Sequence, residues 1–376
     1  MRTIVSVVGA RPQFVKLAPI SRAFGALAES ARHRIVHTGQ HYDHEMSGLF
    51  FEELEIPRPD IDLGIGSGPH GRQTASMLAA LEAEFDRSST DVVIVYGDTN
   101  STLAAALAAS KMHIPVCHIE AGLRSFDRSM PEEINRIVAD HCSDRLYPPT
   151  PVALSNLAVE GLTNRAVPAG DVMLDAVRYN ARLAEQKSDI CERYGLEGQE
   201  YGVVTVHRPA NTTPQALADV LASLEKIAGS ELQLLFPIHP RTRAALAGRL
   251  PAAVSGLRIV EPLGHLDMLK ALSAARLVIT DSGGLQKEAA FVGTPCITLR
   301  DTTEWTETVE MGANILVGRS PERLEAAVRS ALDGPKPDWR ESIRSNYGDG
   351  DSALRIVEDI EGWSGREAQA AQTEPE

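Results

Sequence analysis

Three carboxylates in the first half of the chain stand where acid and base chemistry could be done. They are Asp98 in Gly97-Asp98-Thr99-Asn100-Ser101-Thr102, Glu120 in Glu120-Ala121-Gly122-Leu123-Arg124, and Glu132 in Pro131-Glu132-Glu133-Ile134-Asn135-Arg136. The apolar runs Asp91 to Tyr96 and Val116 to Ile119 read as buried strands, so Asp98 and Glu120 fall at strand ends, and Pro131 opens a helix at Glu132. One acid at a strand end is usually a helix cap. Three of them, with Arg124 and Arg136 close by, point to a cleft in which paired carboxylates take separate acid and base roles. In the second half, His207 (Val206-His207-Arg208-Pro209) and His239 (Pro237-Ile238-His239-Pro240-Arg241) each end a strand. An imidazole there can serve as acid, base or phosphate donor, although a lone histidine is more often a structural hydrogen bonder.

Two strand-to-helix turns read as anion sites. Gly9-Ala10-Arg11-Pro12 follows the strand Ile4 to Val8; glycine permits the tight turn, Pro12 suits a first helical position, and Arg11 and Lys16 add charge to the amides of a helix start. Its order is not GxGxxG, so a nicotinamide dinucleotide is not what it suggests. Asp281-Ser282-Gly283-Gly284 follows Leu277 to Thr280 and leads into a helix. Two glycines let the backbone approach a ligand, and the Ser282 hydroxyl with successive amides would cradle phosphate oxygens. The plainer alternative makes Asp281 an N-cap. Glu288 lies about one turn further on, placed to accept from sugar hydroxyls.

Elements must position these residues, and the pattern supplies them. Short runs rich in Val and Ile (Ile4 to Val8, Arg34 to Thr38, Asp91 to Tyr96, Val116 to Ile119, Gly202 to Val206, Leu232 to Phe236, Arg258 to Val260, Leu277 to Thr280, Cys296 to Leu299) alternate with helical stretches such as Thr99 to Lys111 and Pro214 to Ala228. Continuous apolar strands alternating with amphipathic helices mean parallel sheets covered on both faces. Two such series, separated by the polar helical stretch Asp175 to Arg193 and the turn-rich Tyr194 to Gln199, read as two doubly wound α/β domains joined by a linker. Ligands of such sheets sit beyond the carboxyl ends of the strands.

Composition narrows the function classes. The chain has 376 residues, 43% hydrophobic and 23% charged, which at roughly 150 residues per domain means two domains. A net charge of −14 argues against a nucleic-acid partner, though not against one small anion in a locally basic cleft. Cys117, Cys142, Cys191 and Cys296 form no CxxC pair, and Gly39-Gln40-His41-Tyr42-Asp43 lacks the HExxH order, so no metal is expected. The apolar run after Met1 is too short for a signal peptide, and no stretch approaches the ~20 residues of a membrane span. The expected address is therefore the cytoplasm.

Taken in order, these segments closely resemble the non-hydrolysing UDP-N-acetylglucosamine 2-epimerases. The likeness is carried by Gly9-Ala10-Arg11-Pro12, Thr38-Gly39-Gln40-His41, Gly97-Asp98-Thr99, Glu120-Ala121-Gly122-Leu123-Arg124, Pro131-Glu132-Glu133, His207-Arg208, Asp281-Ser282-Gly283-Gly284, Arg300-Asp301-Thr302-Thr303-Glu304 and Tyr347-Gly348-Asp349-Gly350. The resemblance implies two Rossmann-like domains facing a cleft, as in GT-B glycosyltransferases. It implies a catalytic set of Asp98, Glu120, Glu132 and His207. Its UDP-binding set is Arg11, Ser282, Gly283, Gly284 and Glu288, to which Lys16, Arg136 and His239 are added as substrate contacts. Gln40, His41, Arg72 and Gln73 match positions where some members bind a second UDP-sugar as activator. A homodimer is implied, with no cofactor. The implied domains are 1–174, with a terminal helix at 351–364 packing back on it, and a UDP-binding domain at 175–350; residues 365–376, without helix or strand period, are expected to fray.

A sugar carbon bearing an acetamido group has no adjacent carbonyl, so its hydrogen is not acidic enough for direct removal and return. Without a dinucleotide fingerprint, inversion there must go through loss of the anomeric group. UDP leaves by elimination, giving a 2-acetamidoglucal, and returns after protonation of the opposite face. The sequence also departs from the family pattern. Thr303-Glu304-Trp305 has an aromatic where relatives have arginine, and Ala210 stands where many have glutamate. The stretch Ser125 to Met130 looks like the branch that includes epimerases of UDP-2,3-diacetamido-glucuronic acid. Rival readings are that substrate, a GT-B UDP-sugar glycosyltransferase, a hydrolysing epimerase and a catalytically silent UDP-sugar sensor.

Overall fold

The computed structural model describes residues 1–27, 31–40, 51–246 and 255–363. His41 and the 365–376 tail lie outside the described residues. The chain divides into two compact units, Met1–Ala176 with Asn346–Glu376, and Val177–Ser345.

In the first unit six parallel strands, β1 (Arg2–Val8), β2 (Ala31–His37), β3 (Ile61–Asp62), β4 (Val92–Tyr96), β5 (Val116–Ile119) and β6 (Arg145–Tyr147), lie in the order β3-β2-β1-β4-β5-β6. The second unit repeats this with β7 (Tyr201–Thr205), β8 (Gln233–Pro237), β9 (Leu257–Val260), β10 (Leu277–Thr280), β11 (Cys296–Thr298) and β12 (Asn314–Leu316), in the order β12-β11-β10-β7-β8-β9. Both are Rossmann-like sheets, whose order reverses between the first and fourth strands. The fold class is therefore α/β with two doubly wound units. The switch points fall between β1 and β4, which pair Ile4 with Val92, and between β7 and β10, which pair Val203 with Val278. Strands β3, β6 and β12 have no counterpart among the predicted runs. Each is only two or three residues long at or near a sheet edge, too short to show a period.

The central strands are buried along their whole length: every residue of β4 and β5 is sealed from solvent, which is why they read as unbroken apolar runs. The helix Asn100–Lys111 packs between His70–Ser88 and Pro131–Cys142. Its buried side chains are small (Ala104, Ala105, Ala106, Ala108, Ala109), so its neighbours approach closely. The Thr99 hydroxyl caps this helix by accepting from Thr102 N, which fixes the turn that follows Asp98.

The stretch expected as a linker is ordered. It forms the helix Val172–Lys187 and a short helix Ile190–Arg193, whose Ile190 and Cys191 join Leu196, Tyr201 and Val203 in the second unit's core. The helix Ser352–Gly362 packs against Arg11–Leu27. It buries Ile356, Val357 and Ile360, at about 1.5–3 kcal/mol for each such side chain. Tyr147 Oη donates to Asp359 (2.8 Å), and Arg2 donates to the Ile360 and Trp363 carbonyls at its far end.

Candidate active site

At the carboxyl ends of β4 and β5, Asp98 and Glu120 project from two tight turns. Gly97 has φ +59° and Glu120 itself φ +70°, a left-handed conformation that costs a non-glycine residue energy and is typically kept where it aims a side chain. A Cβ on Gly97 would lie 3.1 Å from Glu120 Oε1 and 3.3 Å from Lys16 Nζ, so the bare glycine lets that pair lie against the Asp98 turn. Lys16 donates to Glu120 Oε1 at 2.7 Å, and Arg136 Nη2 donates to Asp98 Oδ2 at 2.5 Å. Burial, with the negative charge of Glu120, pushes Asp98 above the ordinary carboxylate range against the pull of Arg136 and Lys16. For Lys16, burial works to lower the ammonium's pKa, but Glu120 outweighs it and holds it raised. The arrangement is a carboxyl that readily takes a proton beside a carboxylate with its own fixed cation.

The residues expected at this site are distributed differently from their sequence grouping. Lys16, read as an anion ligand, is turned inward onto Glu120. The amides of Gly9 and Ala10 donate to Gln13 Oε1 (2.7 and 3.1 Å), so the first helix start does not present them to a ligand; Arg11 is exposed there. Glu132 is exposed, while its neighbour Glu133 is buried. Glu133 accepts from Ser125 N, Ser125 Oγ, Phe126 N and Arg136 Nη1 at 2.8–3.1 Å. Arg136 thus spans Asp98 and Glu133. Arg124 belongs elsewhere, bonded to Asp140 and Glu160. Sequence reasoning missed Glu133 and Asn135, which donates to the Asp98 carbonyl at 2.9 Å. The signal for Glu133 is the helical spacing that puts it and Arg136 on one face.

Two residues read as activator contacts also reach this network. Gln40 accepts from Ser101 N and Oγ (3.0 and 2.7 Å), and Gln73 accepts from Asn100 (2.8 Å), which in turn accepts from Asn135 (3.2 Å). Arg72 is exposed.

In the second unit the organising residue is Asp281, at the end of β10 and wholly buried. It accepts from His207 N (3.0 Å), Arg208 N (2.9 Å) and Asn211 Nδ2 (3.0 Å), and lies 3.2 Å from His207 Nδ1. The N-cap alternative for Asp281 is therefore corrected: Ser282 occupies the cap of the helix Gly283–Phe291, and its side chain makes no capping hydrogen bond. The Gly283 end of that helix carries positive partial charge and amide donors. His207 and His239 approach with ring centroids 5.2 Å apart, and Arg241 donates to the His207 carbonyl (3.0 Å). Burial lowers the His207 pKa, helped by Arg208 and Arg241 and opposed by Asp281. A Cβ on Gly283 would strike Glu304, which Arg300 holds at 2.8 Å. Glu288 is half-buried, its pKa raised by burial against the charges of His265 and Lys287. Trp305, the departure noted above, is buried with Lys287 Nζ 3.8 Å over its ring. Imidazoles, Arg208, Arg241 and an uncapped helix start suit a diphosphate. The signal for the two arginines was their place one or two residues after each histidine.

A sequence model of the family described as UDP-N-acetylglucosamine 2-epimerase matches residues 26–361. The chain is 44% identical to a "UDP-N-acetylglucosamine 2-epimerase homolog" of Methanococcus maripaludis over 94% of this chain and 98% of that protein. It is 43% identical, with the same coverage, to the UDP-2,3-diacetamido-2,3-dideoxy-D-glucuronate 2-epimerase of Pseudomonas aeruginosa. Among solved structures it resembles the Methanocaldococcus jannaschii UDP-GlcNAc 2-epimerase in complex with UDP-GlcNAc and UDP. The TM-score is 0.84 at 40% identity, covering 96% of this chain and all of that one.

Proposed function

The chain belongs to the UDP-N-acetylglucosamine 2-epimerase family, and on that premise we propose that it interconverts UDP-N-acetylglucosamine and UDP-N-acetylmannosamine without a cofactor. The observation that carries the mechanism is half-buried Asp98 beside buried Glu120, each with its own cation, Arg136 and Lys16. A base takes the hydrogen from C2 as the C1–oxygen bond to UDP breaks, leaving a C1=C2 double bond. A proton is then delivered to the opposite face of C2 and UDP returns to C1. Two groups able to trade a proton are the minimum for this sequence, and neighbouring carboxyls with different surroundings supply them. Positive charge develops at the anomeric carbon as UDP leaves, and a carboxylate nearby stabilises it. Glu132, at the first turn of its helix, is assigned to the same acid–base work.

The second unit's part is the leaving group. His207, Arg208, His239, Arg241 and the helix start at Ser282, Gly283 and Gly284 neutralise a diphosphate, which is what makes UDP able to depart. Arg11 adds charge to that binding, and Glu288 accepts from sugar hydroxyls. The reading extends to a cytoplasmic homodimer and to an activating second UDP-sugar at Gln40, His41, Arg72 and Gln73. The close likeness to a diacetamido-glucuronate 2-epimerase favours one second reading, the same reaction on that uronic acid sugar.

The test is a proton NMR time course with UDP-N-acetylglucosamine in deuterium oxide. The expected product is UDP-N-acetylmannosamine carrying deuterium at C2. Inertness toward this sugar with turnover of the diacetamido-uronate selects the second reading. Free N-acetylmannosamine would make the enzyme hydrolysing, and product that forms only with an added acceptor would make it a transferase.

A further inference from the structure

Behind the Asp98 turn lies a second charged assembly, whose centre is sealed from solvent. His118, on β5 two residues before Glu120, and Asp140, on the helix Pro131–Cys142, are both wholly buried. His118 Nε2 is 2.8 Å from the Gly97 carbonyl, which can only accept, so this nitrogen donates. His118 Nδ1 is 2.7 Å from Asp140 Oδ1. Burial works to raise the Asp140 pKa, but the bonds from His118 and Arg124 outweigh it and hold the carboxyl below its ordinary range. Asp140 therefore accepts as a carboxylate, and Nδ1 donates too. With a proton on each nitrogen, the imidazole bridges two acceptors. The other Asp140 oxygen accepts from Gly122 N (3.1 Å) and Arg124 Nη1 (2.7 Å), and Arg124 continues to Glu160 (2.7 Å). Four buried or half-buried charges alternate in sign along this chain, which is how such groups avoid standing unpaired.

The assembly touches the site at its two turns. His118 fixes the peptide between Gly97 and Asp98 by its carbonyl, and Asp140 fixes Gly122, two residues beyond Glu120. The Asp98 carbonyl and carboxylate are held by Asn135 and Arg136 of the same helix that carries Asp140. We propose that the His118–Asp140 pair is a positioning device that sets the placement of Asp98 relative to Glu120, and that turnover depends on it although neither residue touches substrate. This rests on the epimerase reading above. A small shift of either turn would misplace a proton-transfer group, and misplacement by about 1 Å can cost ~100-fold in rate.

The test uses the full-length protein. His118→Phe keeps an aromatic ring and removes both donors. Its kcat is expected to fall about 100-fold, while KM for the UDP-sugar and Kd for UDP stay within about threefold of the parent. In the double variant His118→Gln/Asp140→Asn, the first amide can donate to Gly97 and its oxygen can accept from the second amide. This variant is expected to regain at least about tenfold in kcat over His118→Phe. An unchanged kcat in His118→Phe, or a loss confined to UDP affinity, overturns the proposal. A wild-type measurement covers the case in which the variants do not fold. Two-bond nitrogen–proton correlation spectra of 15N-histidine protein should show one ring with both nitrogens protonated and both protons protected from exchange; the absence of such a ring overturns the proposal. This spectrum is independent of turnover. An inactive wild type that shows the doubly protonated ring would therefore mark failure of the epimerase reading alone.

Discussion

Lys16 Nζ lies 2.7 Å from Glu120 Oε1, and both side chains are only 9% exposed. A charged pair this buried is costly to break from one side, because the remaining charge has no water to turn to. Lys16 therefore does structural and chemical work together. It neutralises Glu120 and holds its carboxylate at the mouth of the β5 turn.

Lys16→Met, close in shape and without the ammonium, is expected to destabilise the protein by about 3 kcal/mol in urea unfolding, the usual cost of orphaning a buried charge. It should also cut turnover by at least about 100-fold, since the orphaned Glu120 would take up a proton or move. Unchanged stability would mean that water reaches the pair.

Glu133 is the post to which the Ser125–Phe126 backbone is tied. Burial works to raise its pKa, but the Ser125, Phe126 and Arg136 bonds outweigh it and hold the carboxyl low. A depressed carboxyl contributes stability above its unfolded pKa, near the ordinary 4.5, and loses that contribution as pH falls through the folded value. Glu133→Gln should remove this acid sensitivity. Hydrogen–deuterium exchange across Ser125–Met130 should rise with it, because the amide group cannot accept all four bonds.

Much of this was legible in the residues before any coordinates. The long Val and Ile runs located the central strands, and the Gly-Asp and Asp-Ser-Gly-Gly turns located the carboxyl ends of β4 and β10. Four things were not legible. Edge strands such as β6 lack a period. The Lys16–Glu120 pair joins residues 104 positions apart, which no local pattern announces. Glu132 and Glu133 are adjacent and chemically alike; only the helix's orientation buries one and exposes the other. The Gly9 turn looked like an anion cradle because nothing in its sequence shows that Gln13 folds back onto its amides.

Asp175 sits half-buried where Ala353 N donates to it (2.8 Å), tying the helix Val172–Lys187 to the start of Ser352–Gly362. Burial pushes its pKa up to about 6, with bonds from Ala353 and Ser352 opposing. A raised carboxyl contributes stability that is fully present below its unfolded pKa, near 3.8, and is lost as pH rises through 6. Asp175→Asn keeps the acceptor and removes the charge. It should gain about 2 kcal/mol in unfolding free energy at pH ~8 and show a flatter pH dependence between about 4 and 6. Equal stability of the two proteins at both ends of that range would sink the argument.

Gly283 begins its helix against Glu304, and any side chain there would collide with a carboxylate that Arg300 anchors. Gly283→Ala should therefore move Glu304 or tilt the helix start away from the diphosphate. UDP affinity by calorimetry is expected to fall about tenfold, while the melting temperature changes little because the atom in the way is the end of a flexible side chain that can move aside.

The acid–base assignment is tested by separating three carboxylates that the sequence groups together and that differ in burial: Glu120 buried, Asp98 half-buried and Glu132 exposed. Asp98→Asn, Glu120→Gln and Glu132→Gln should each lose most turnover, by at least about 100-fold, and retain UDP binding, since the diphosphate is assigned to the second unit. Their stabilities should differ. Glu120→Gln strands Lys16 and is expected to destabilise by about 3 kcal/mol. Glu132 is exposed, so Glu132→Gln should stay within about 0.5 kcal/mol of the parent. That variant is the most informative of the three, because a loss of turnover there cannot be blamed on the fold. If its rate is unchanged, Glu132 leaves the mechanism, and the proton must pass between Asp98 and Glu120 alone. Arg11→Ala provides the converse control: it should weaken UDP itself, and a loss of turnover at full UDP affinity would move Arg11 from binding to chemistry.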